Sequence, residues 1–453
     1  MSGFENITNM YFLGIGGIGM SALARYFNAQ KMRVAGYDKT RTTLTNALEK
    51  EGINVIFEDV VEVIPEEFKD PGNALIVYTP AVPQDHKQLN YFKSAGFTVE
   101  KRSVVLGRIT KEIYTLAVAG THGKTTTTAM LAHLLKETGA EVTAFLGGLA
   151  ENFQSNLVLE GSKVMVAEAD EFDRSFLQLS PNIAAITSMD ADHLDIYGEN
   201  EQLQQSFLDF AGLVPQDGTL FYKKGLPLNG TSLEIEDDAD VTAENIRVKN
   251  GTYHFDLNFR REVYKDFSLS LPGKHNLFNA VTALAMALEF GCPPAGLARA
   301  LAAFKGVHRR FSYRIKQENL VMIDDYAHHP AEIAAVHQAV REMHPKKEVL
   351  AVFQPHLFSR TRDFAEDFAK SLGLFDQIML LDIYPAREKP VEGITSDWLL
   401  NKIVNEKKQL VQKEALSEAI FEAVRKDKAQ VVLMLGAGDI GEEVDVVKKY
   451  LLS

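Results

Sequence analysis

The sequence predicts an α/β protein laid out as three consecutive domains, and three observations carry that prediction. Apolar runs of strand length alternate with stretches of helical spacing along the chain. Two of these runs feed directly into glycine-rich turns, "GIGGIG" at Gly14–Gly19 and "GTHGKTT" at Gly120–Thr126. The length of 453 residues exceeds one ordinary domain, since roughly 150 residues per domain suggests two to four.

The first domain, 1–110, opens on the strand "MYFLG", which leads into "GGIGMSALARYFNAQ" with helical spacing. "MRVAGYD", "ALIVYTP" and "FTVEKR" supply further strands, an order that predicts a Rossmann-like unit. The second domain, 111–311, starts with the strand "YTLAVAG" and the helix "KTTTTAMLAHLLKETG", which ends at Gly139. "KVMVAEAD" and "NIAAITSMD" read as buried strands, each ending in acidic residues at the strand end where parallel sheets gather ligands. A polar stretch at about 225–268 predicts a peripheral insertion or a small sheet. "GVHRRFSYR" marks the junction to the third domain, 312–453, also Rossmann-like. There "LVMIDDYAHHP", "EVLAVFQPH", "QIMLLDIYP" and "AQVVLMLGAGDI" resume the strand–helix alternation.

Apolar residues make up 46% of the chain, enough for several cores. The net charge of −13 argues against a nucleic-acid partner, which needs a basic face, but not against small anionic ligands met by local groups. The one cysteine, Cys292, excludes a disulfide framework or a cysteine metal site within the chain. "MSGFENITNMYFLGIGG" has no basic leader, and no apolar run has membrane-spanning length. The expectation is a cytoplasmic protein with no membrane insertion.

At Gly120–Thr126 the pattern is that of a phosphate loop. Gly120, Thr121, His122, Gly123 and Thr126 bring backbone N–H groups and a helix N-terminus to an anion. Lys124 is placed to reach the β- and γ-phosphates of a nucleotide, and the Thr125 hydroxyl to ligate Mg²⁺. The pattern departs at its first glycine, where Val118 stands.

"GIGGIG" satisfies the dinucleotide fingerprint, with Asp38 closing the next strand where an acidic residue meets a ribose hydroxyl. Pattern alone suggests a nicotinamide-dependent oxidoreductase. Its physical content is only that a diphosphate sits at a helix N-terminus, and a UDP-sugar supplies that too. A purely structural tight turn is the remaining reading.

"AEADEFD" carries Glu168, Asp170, Glu171 and Asp173; "MDADHLD" carries Asp190, Asp192, His193 and Asp195. Carboxylates and an imidazole beside a phosphate loop suit Mg²⁺ ions bridging phosphates, although Asp170 and Asp195 also fit as helix caps. "GKHNLFNA" contributes Asn276 and Asn279, which fit a site or a cap. Arg309 and Arg310 come from "HRRF", His328 and His329 from "DDYAHHP", and Arg360 and Arg362 from "FQPHLFSRTRDF". The two histidines fit a site or a satisfied turn, and Arg360 and Arg362 fit a site or a solvated surface.

Together and in order, these motifs resemble the Mur ligase family of peptidoglycan synthesis over essentially the whole chain. The resemblance implies a UDP-sugar domain, an ATP domain and an amino-acid domain, and turns the N-terminal fingerprint away from nicotinamide. It implies that Gly16, Gly17, Ile18 and Gly19 hold the diphosphate of UDP-N-acetylmuramate, with Asp38, Thr79 and Glu171 on the same substrate. It matches Lys124 to the loop lysine, Thr125 and Glu168 to the first metal, and His193 to a second metal near the substrate carboxylate. Asn276 and Asn279 match the adenine side, Arg310 the ATP phosphates and Asp325 the ribose; Tyr326, His328 and Arg360 face the incoming amino acid. ATP and Mg²⁺, with Mn²⁺ as an alternative metal, are the implied cofactors, and a monomer or homodimer the implied assembly.

"GIGGIGMSALA" with "FQPH" and "GAGDI" resembles members that add the first amino acid, L-alanine. Several relatives carry a carbamylated lysine soon after the histidine; here no lysine lies between His193 and Lys223, as in the alanine-adding members. Leu357 stands where some relatives have arginine, which leaves Arg360 for the amino-acid carboxylate. The rival within the family is a recycling ligase that attaches L-alanyl-γ-D-glutamyl-meso-diaminopimelate, whose N-terminal loop usually departs from GIGGIG. The implied chemistry is activation of a carboxylate as an acyl phosphate, then attack by an amine. That route needs positioning and charge neutralisation but no covalent nucleophile. Lys124, His193, Arg310 and His328 carry it, His328 as a candidate for the amine proton.

Overall fold

The computed structural model describes residues 3–190, 200–249, 251–386 and 388–453. Among the described residues three sheets are built in chain order, each with helices on its faces. The first has five parallel strands in the order Asn54–Ile56, Arg33–Tyr37, Asn9–Leu13, Ala74–Tyr78, Thr98–Lys101. The first strand in sequence lies in the middle, so the chain reverses direction of travel across the sheet there. That switch point puts Gly14–Gly19 at the crevice where α/β sheets bind ligands.

The second sheet has ten strands. Tyr114–Ala119 lies between Ile183–Ile186 and Val164–Glu168, all three parallel and almost wholly buried. Such apolar runs are what a sheet covered on both faces demands. The polar stretch near 225–268 is not a separate module. Its strands Thr231–Ile235, Val241–Lys249, Thr252–Phe259 and Glu262–Leu269 continue this sheet to one edge. Burial alternates along Thr252–Phe259, and the other three strands have few buried positions, which explains the weak apolar signal.

The third sheet has six strands, Ser312–Lys316 antiparallel at one edge and the rest parallel. Its two faces are packed separately, Ile323, Ala351, Phe353 and Leu433 on one and Met322, Leu350, Val352 and Met434 on the other. That split is the period-2 alternation of strands buried on both sides.

By compactness the chain divides into two units. One comprises Met1–Ile246, Phe255–Phe267 and Asn279–Lys305; the other comprises Arg247–His254, Ser268–Phe278 and Gly306–Ser453. Within the first unit one apolar core runs from Phe12 and Phe27 of the first sheet's layers to Phe176, Phe207 and Phe210 of the second's. Burying one such ring contributes about 1.5–3 kcal/mol. Fully buried Asn156 ties the two layers by donating to the Ile18 carbonyl (2.5 Å) and the Ser21 hydroxyl (2.9 Å). Among the described residues no helix is long and apolar enough to cross a membrane.

Candidate active site

Three parallel strands of the first unit deliver their carboxyl ends to one place. After Ala119 the chain turns through Gly120–Gly123 into the helix Lys124–Glu137. Gly123 has φ 82°, and the Asn279 carboxamide occupies the space a side chain there would need. Ser188 and Thr187, at the end of the neighbouring strand, fix the loop: Ser188 Oγ accepts from the His122 N–H at 2.9 Å, and the Thr187 hydroxyl donates to the His122 carbonyl at 2.5 Å. Thr121 donates to the Asp190 carbonyl at 3.2 Å, and Thr126 is buried at the helix start. Val118 sits inside the ladder opposite Glu168. The turn begins only after Ala119, so the first glycine of the usual pattern is not needed.

Lys124 Nζ donates to the carbonyls of Gly120 (2.6 Å) and Thr121 (3.3 Å) and pairs with Glu171 at 2.8 Å. Burial alone would lower the lysine pKa, but the carboxylates of Glu171, Glu168 and Asp170 outweigh it and raise the pKa overall. Lys124 is therefore a cation at neutral pH. Glu171, expected on the UDP-sugar side, pairs with this lysine and is only 1% exposed.

The Thr125 hydroxyl donates to Glu168 Oε1 at 3.1 Å, and the Gly147 N–H donates to Glu168 Oε2 at 3.1 Å. A hydroxyl and a carboxylate at the foot of a phosphate loop form a hard-oxygen pair that fits Mg²⁺, which prefers one or two protein oxygens plus substrate phosphates. Among the described residues there is no cluster of three His, Cys, Asp or Glu. His193, Asp192 and Asp195 lie outside the described residues.

The N-terminal loop lies in the same unit. Asp38 accepts from the Gly16 N–H at 2.7 Å and the Thr40 N–H at 3.1 Å, so its carboxylate shapes the loop directly. Thr79 packs on the loop's entry, its methyl 2.8 Å from where a Gly14 Cβ would stand. Gly17 precedes the helix Ile18–Ala29. The Arg102 guanidinium lies over Gly19 and reaches Asp170 at 3.5 Å, while Lys101 pairs with Asp173 at 2.7 Å. Arg102 was not picked out from sequence. The only signal was a basic residue closing the strand run "FTVEKR". Asp170 also accepts from the Phe172 N–H at 3.1 Å, a local turn contact, while the N-cap position of the following helix is Glu171.

In the second unit, Asp325 accepts from the Phe311 N–H (2.6 Å) and the Ala327 N–H (2.7 Å). Burial pushes its pKa up to about 6, against the pull of Arg310 and those two N–H groups. Arg310 lies 5.1 Å from the Tyr326 ring centroid and 3.9 Å from Glu332. His328 Nδ1 is 2.9 Å from the Tyr326 carbonyl, which only accepts, so Nδ1 carries the proton of that hydrogen bond; it also lies 3.4 Å from Glu332. His329 caps the helix Pro330–Met343 in a capping box with Glu332, so of the two paired histidines it is the satisfied turn. Arg360 is buried, with Nη1 3.5 Å from His356 Nδ1, whereas Arg362 is exposed and pairs with Asp363. Asn276 donates to the Pro272 carbonyl at 2.7 Å.

Comparison with known proteins agrees with this arrangement. The Mur ligase family catalytic domain matches residues 9–114, the Mur ligase middle domain 118–287, and the Mur ligase glutamate ligase domain 309–438. The chain belongs to the Mur ligase family. It is 63% identical, over 100% of its length and 99% of the relative's, to a UDP-N-acetylmuramate–L-alanine ligase of Christiangramia forsetii. It is 57% identical over 99% of both chains to one of Flavobacterium psychrophilum. The crystal structure of a UDP-N-acetylmuramate–alanine ligase from Thermotoga maritima superposes with a TM-score of 0.81 at 27% identity, covering 98% of both chains.

Proposed function

We propose that this chain joins L-alanine to the carboxylate of UDP-N-acetylmuramate with ATP as the activating reagent, releasing ADP and phosphate, in the cytoplasm. The observation that carries the reading is the adjacency of two phosphate sites in one compact unit. The diphosphate loop at Gly14–Gly19 and the ATP cradle at Gly120–Thr126 are linked by Arg102, which spans from Gly19 to Asp170, two residues beyond Glu168. The named relatives support the same substrates. Domain limits at 1–110, 111–311 and 312–453 go with this assignment.

A carboxylate is a poor acyl donor, because its leaving group would be oxide. Its oxygen takes the γ-phosphoryl group of ATP, giving an acyl phosphate and ADP. The alanine amine then adds to the acyl carbon, loses a proton, and expels phosphate. Lys124 neutralises charge on the transferring group, and Arg310 is assigned to the ATP phosphates. Mg²⁺ held by Thr125 and Glu168 would supply further neutralisation of the phosphates when bound. Asn276 and Asn279 are assigned to the adenine side and Asp325 to the ribose. His328 Nε2 is the candidate acceptor for the amine proton, with Tyr326 and Arg360 on the amino acid. His193 is assigned to the second metal.

Phosphate release from ATP with UDP-N-acetylmuramate, comparing L-alanine with the diaminopimelate tripeptide, tests the reading. Release with L-alanine is expected. Release only with the tripeptide would make the chain a recycling ligase.

A further inference from the structure

We propose that Arg309, the first arginine of "HRRF", is a positioning residue that sets where Arg310 points, and that the glycine loop Gly436–Gly441 serves as its socket. This deepens, and rests on, the assignment of Arg310 to the ATP phosphates.

The turn is unusual in its backbone. Arg309 and Phe311, neither of them glycine, adopt φ 59° and 50°. Two left-handed residues flanking one arginine persist only where their surroundings over-determine them. Here the restraints are visible. Arg309 Nε donates to Asp324 Oδ1 at 3.2 Å, its Nη2 donates to the Gly436 carbonyl at 2.6 Å, and its own carbonyl accepts from the Tyr326 N–H at 2.7 Å. The Phe311 N–H is held by Asp325 at 2.6 Å, and the Arg310 N–H by the Val307 carbonyl at 3.0 Å. Arg309 and Arg310 both lie over the Tyr326 ring, at 5.2 and 5.1 Å.

The socket explains a motif the function did not absorb. Gly436, Gly438 and Gly441 follow the strand Val431–Leu435 and open the helix Ile440–Leu452 with dinucleotide-fingerprint spacing. The space such a loop offers a diphosphate is filled from within. A Cβ at Gly441 would lie 2.5 Å from the Arg309 guanidinium carbon, and one at Gly438 would run into the Gln354 carboxamide. Gln354 also accepts from the Ile440 N–H at 3.0 Å, taking the helix N-terminus a ligand would use. Arg309 is thus an internal ligand of a glycine loop, and its anchorage is passed through one peptide to Arg310. A lysine cannot reproduce it, since the site uses two directions of a planar guanidinium.

The test is a double-mutant cycle in the full chain, measuring kcat and KM for ATP, UDP-N-acetylmuramate and L-alanine. Arg309→Lys should lower kcat/KM for ATP by about tenfold or more, the scale of a misplaced positioning group, with KM for the other two substrates unchanged. In an Arg310→Ala background the same change should have no further effect. Gly441→Ala, which crowds Arg309 from the socket side, should reproduce the defect and keeps the test alive if Arg309 variants do not fold. Equal losses in both backgrounds, or a loss shared by all three substrates together with a lowered melting temperature, would overturn the proposal. An Arg310→Ala enzyme of full activity would instead sink the assignment of Arg310 itself.

Discussion

The loops Gly14–Gly19 and Gly436–Gly441 obey the same glycine spacing, and each follows a parallel strand and opens a helix. Each even has an arginine against its third glycine, Arg102 on Gly19 and Arg309 on Gly441. They differ in what holds that arginine. Arg102 reaches a half-exposed Asp170 at 3.5 Å, an ion pair a phosphate can replace. Arg309 is pinned at 2.6 Å to a carbonyl and paired with Asp324, which is buried. The first loop's arginine is therefore held only by a long, part-exposed ion pair, while the second loop's is fixed internally. Glycine spacing specifies a backbone that can approach closely; it does not specify what approaches.

The largest effect expected lies at the cradle beside the first loop. Lys124→Ala should lower turnover by about 10³-fold, the scale of removing a group that stabilises transition-state charge. Unchanged turnover would end the assignment of Gly120–Thr126 to ATP. The next sharpens the contrast directly. Arg102→Ala should raise KM for UDP-N-acetylmuramate by about 10- to 100-fold, because a charge-assisted hydrogen bond is worth about 1.5–3 kcal/mol. An unaltered KM would erase the distinction between the two loops.

Gly438→Ala should destabilise the protein by about 1–3 kcal/mol through overpacking against Gln354 and against Tyr384, whose Cβ is 2.8 Å away. Thermal melts would show it, and added UDP-N-acetylmuramate should not change the difference from the parent protein. A variant as stable as the parent would mean the second loop is not filled as described.

The smallest effect concerns pH. Asp325 has its folded pKa raised to about 6, above the ordinary carboxylate range. The stability this gives is fully present below about pH 4 and lost as pH rises through about 6. Asp325→Asn should flatten that part of the stability curve, a change of roughly 1 to 4 °C in melting temperature across the window. An identical slope in the variant would show that Asp325 does not titrate there.

Much of the site was legible because it is local. Lys124, Thr125 and the turn before them follow from a strand, a few glycines and a helix start, all within a dozen residues. Glu168 was legible because it closes a buried strand. Glu171 is legible in sequence as part of an acidic strand end, but its pairing with Lys124 is not. Only folding shows that it faces Lys124, since the two lie on segments far apart in the chain. Arg102 gave almost no signal, because a single basic residue after an edge strand is common. The paired histidines were open between a site and a turn, and the structure divides them: His329 caps a helix while His328 lies beside Tyr326 and Glu332.

The α/β alternation, the order of the three sheets and the glycine turns that allow close approach are all written in the chain's local pattern. These depend on short-range periodicity and on φ values that neighbouring residues dictate. The content of each turn, a loosely paired arginine at Gly19 and an internally fixed one at Gly441, comes from the folded arrangement alone. That choice is made by side chains arriving from distant strands, and neither spacing nor propensity encodes their arrival.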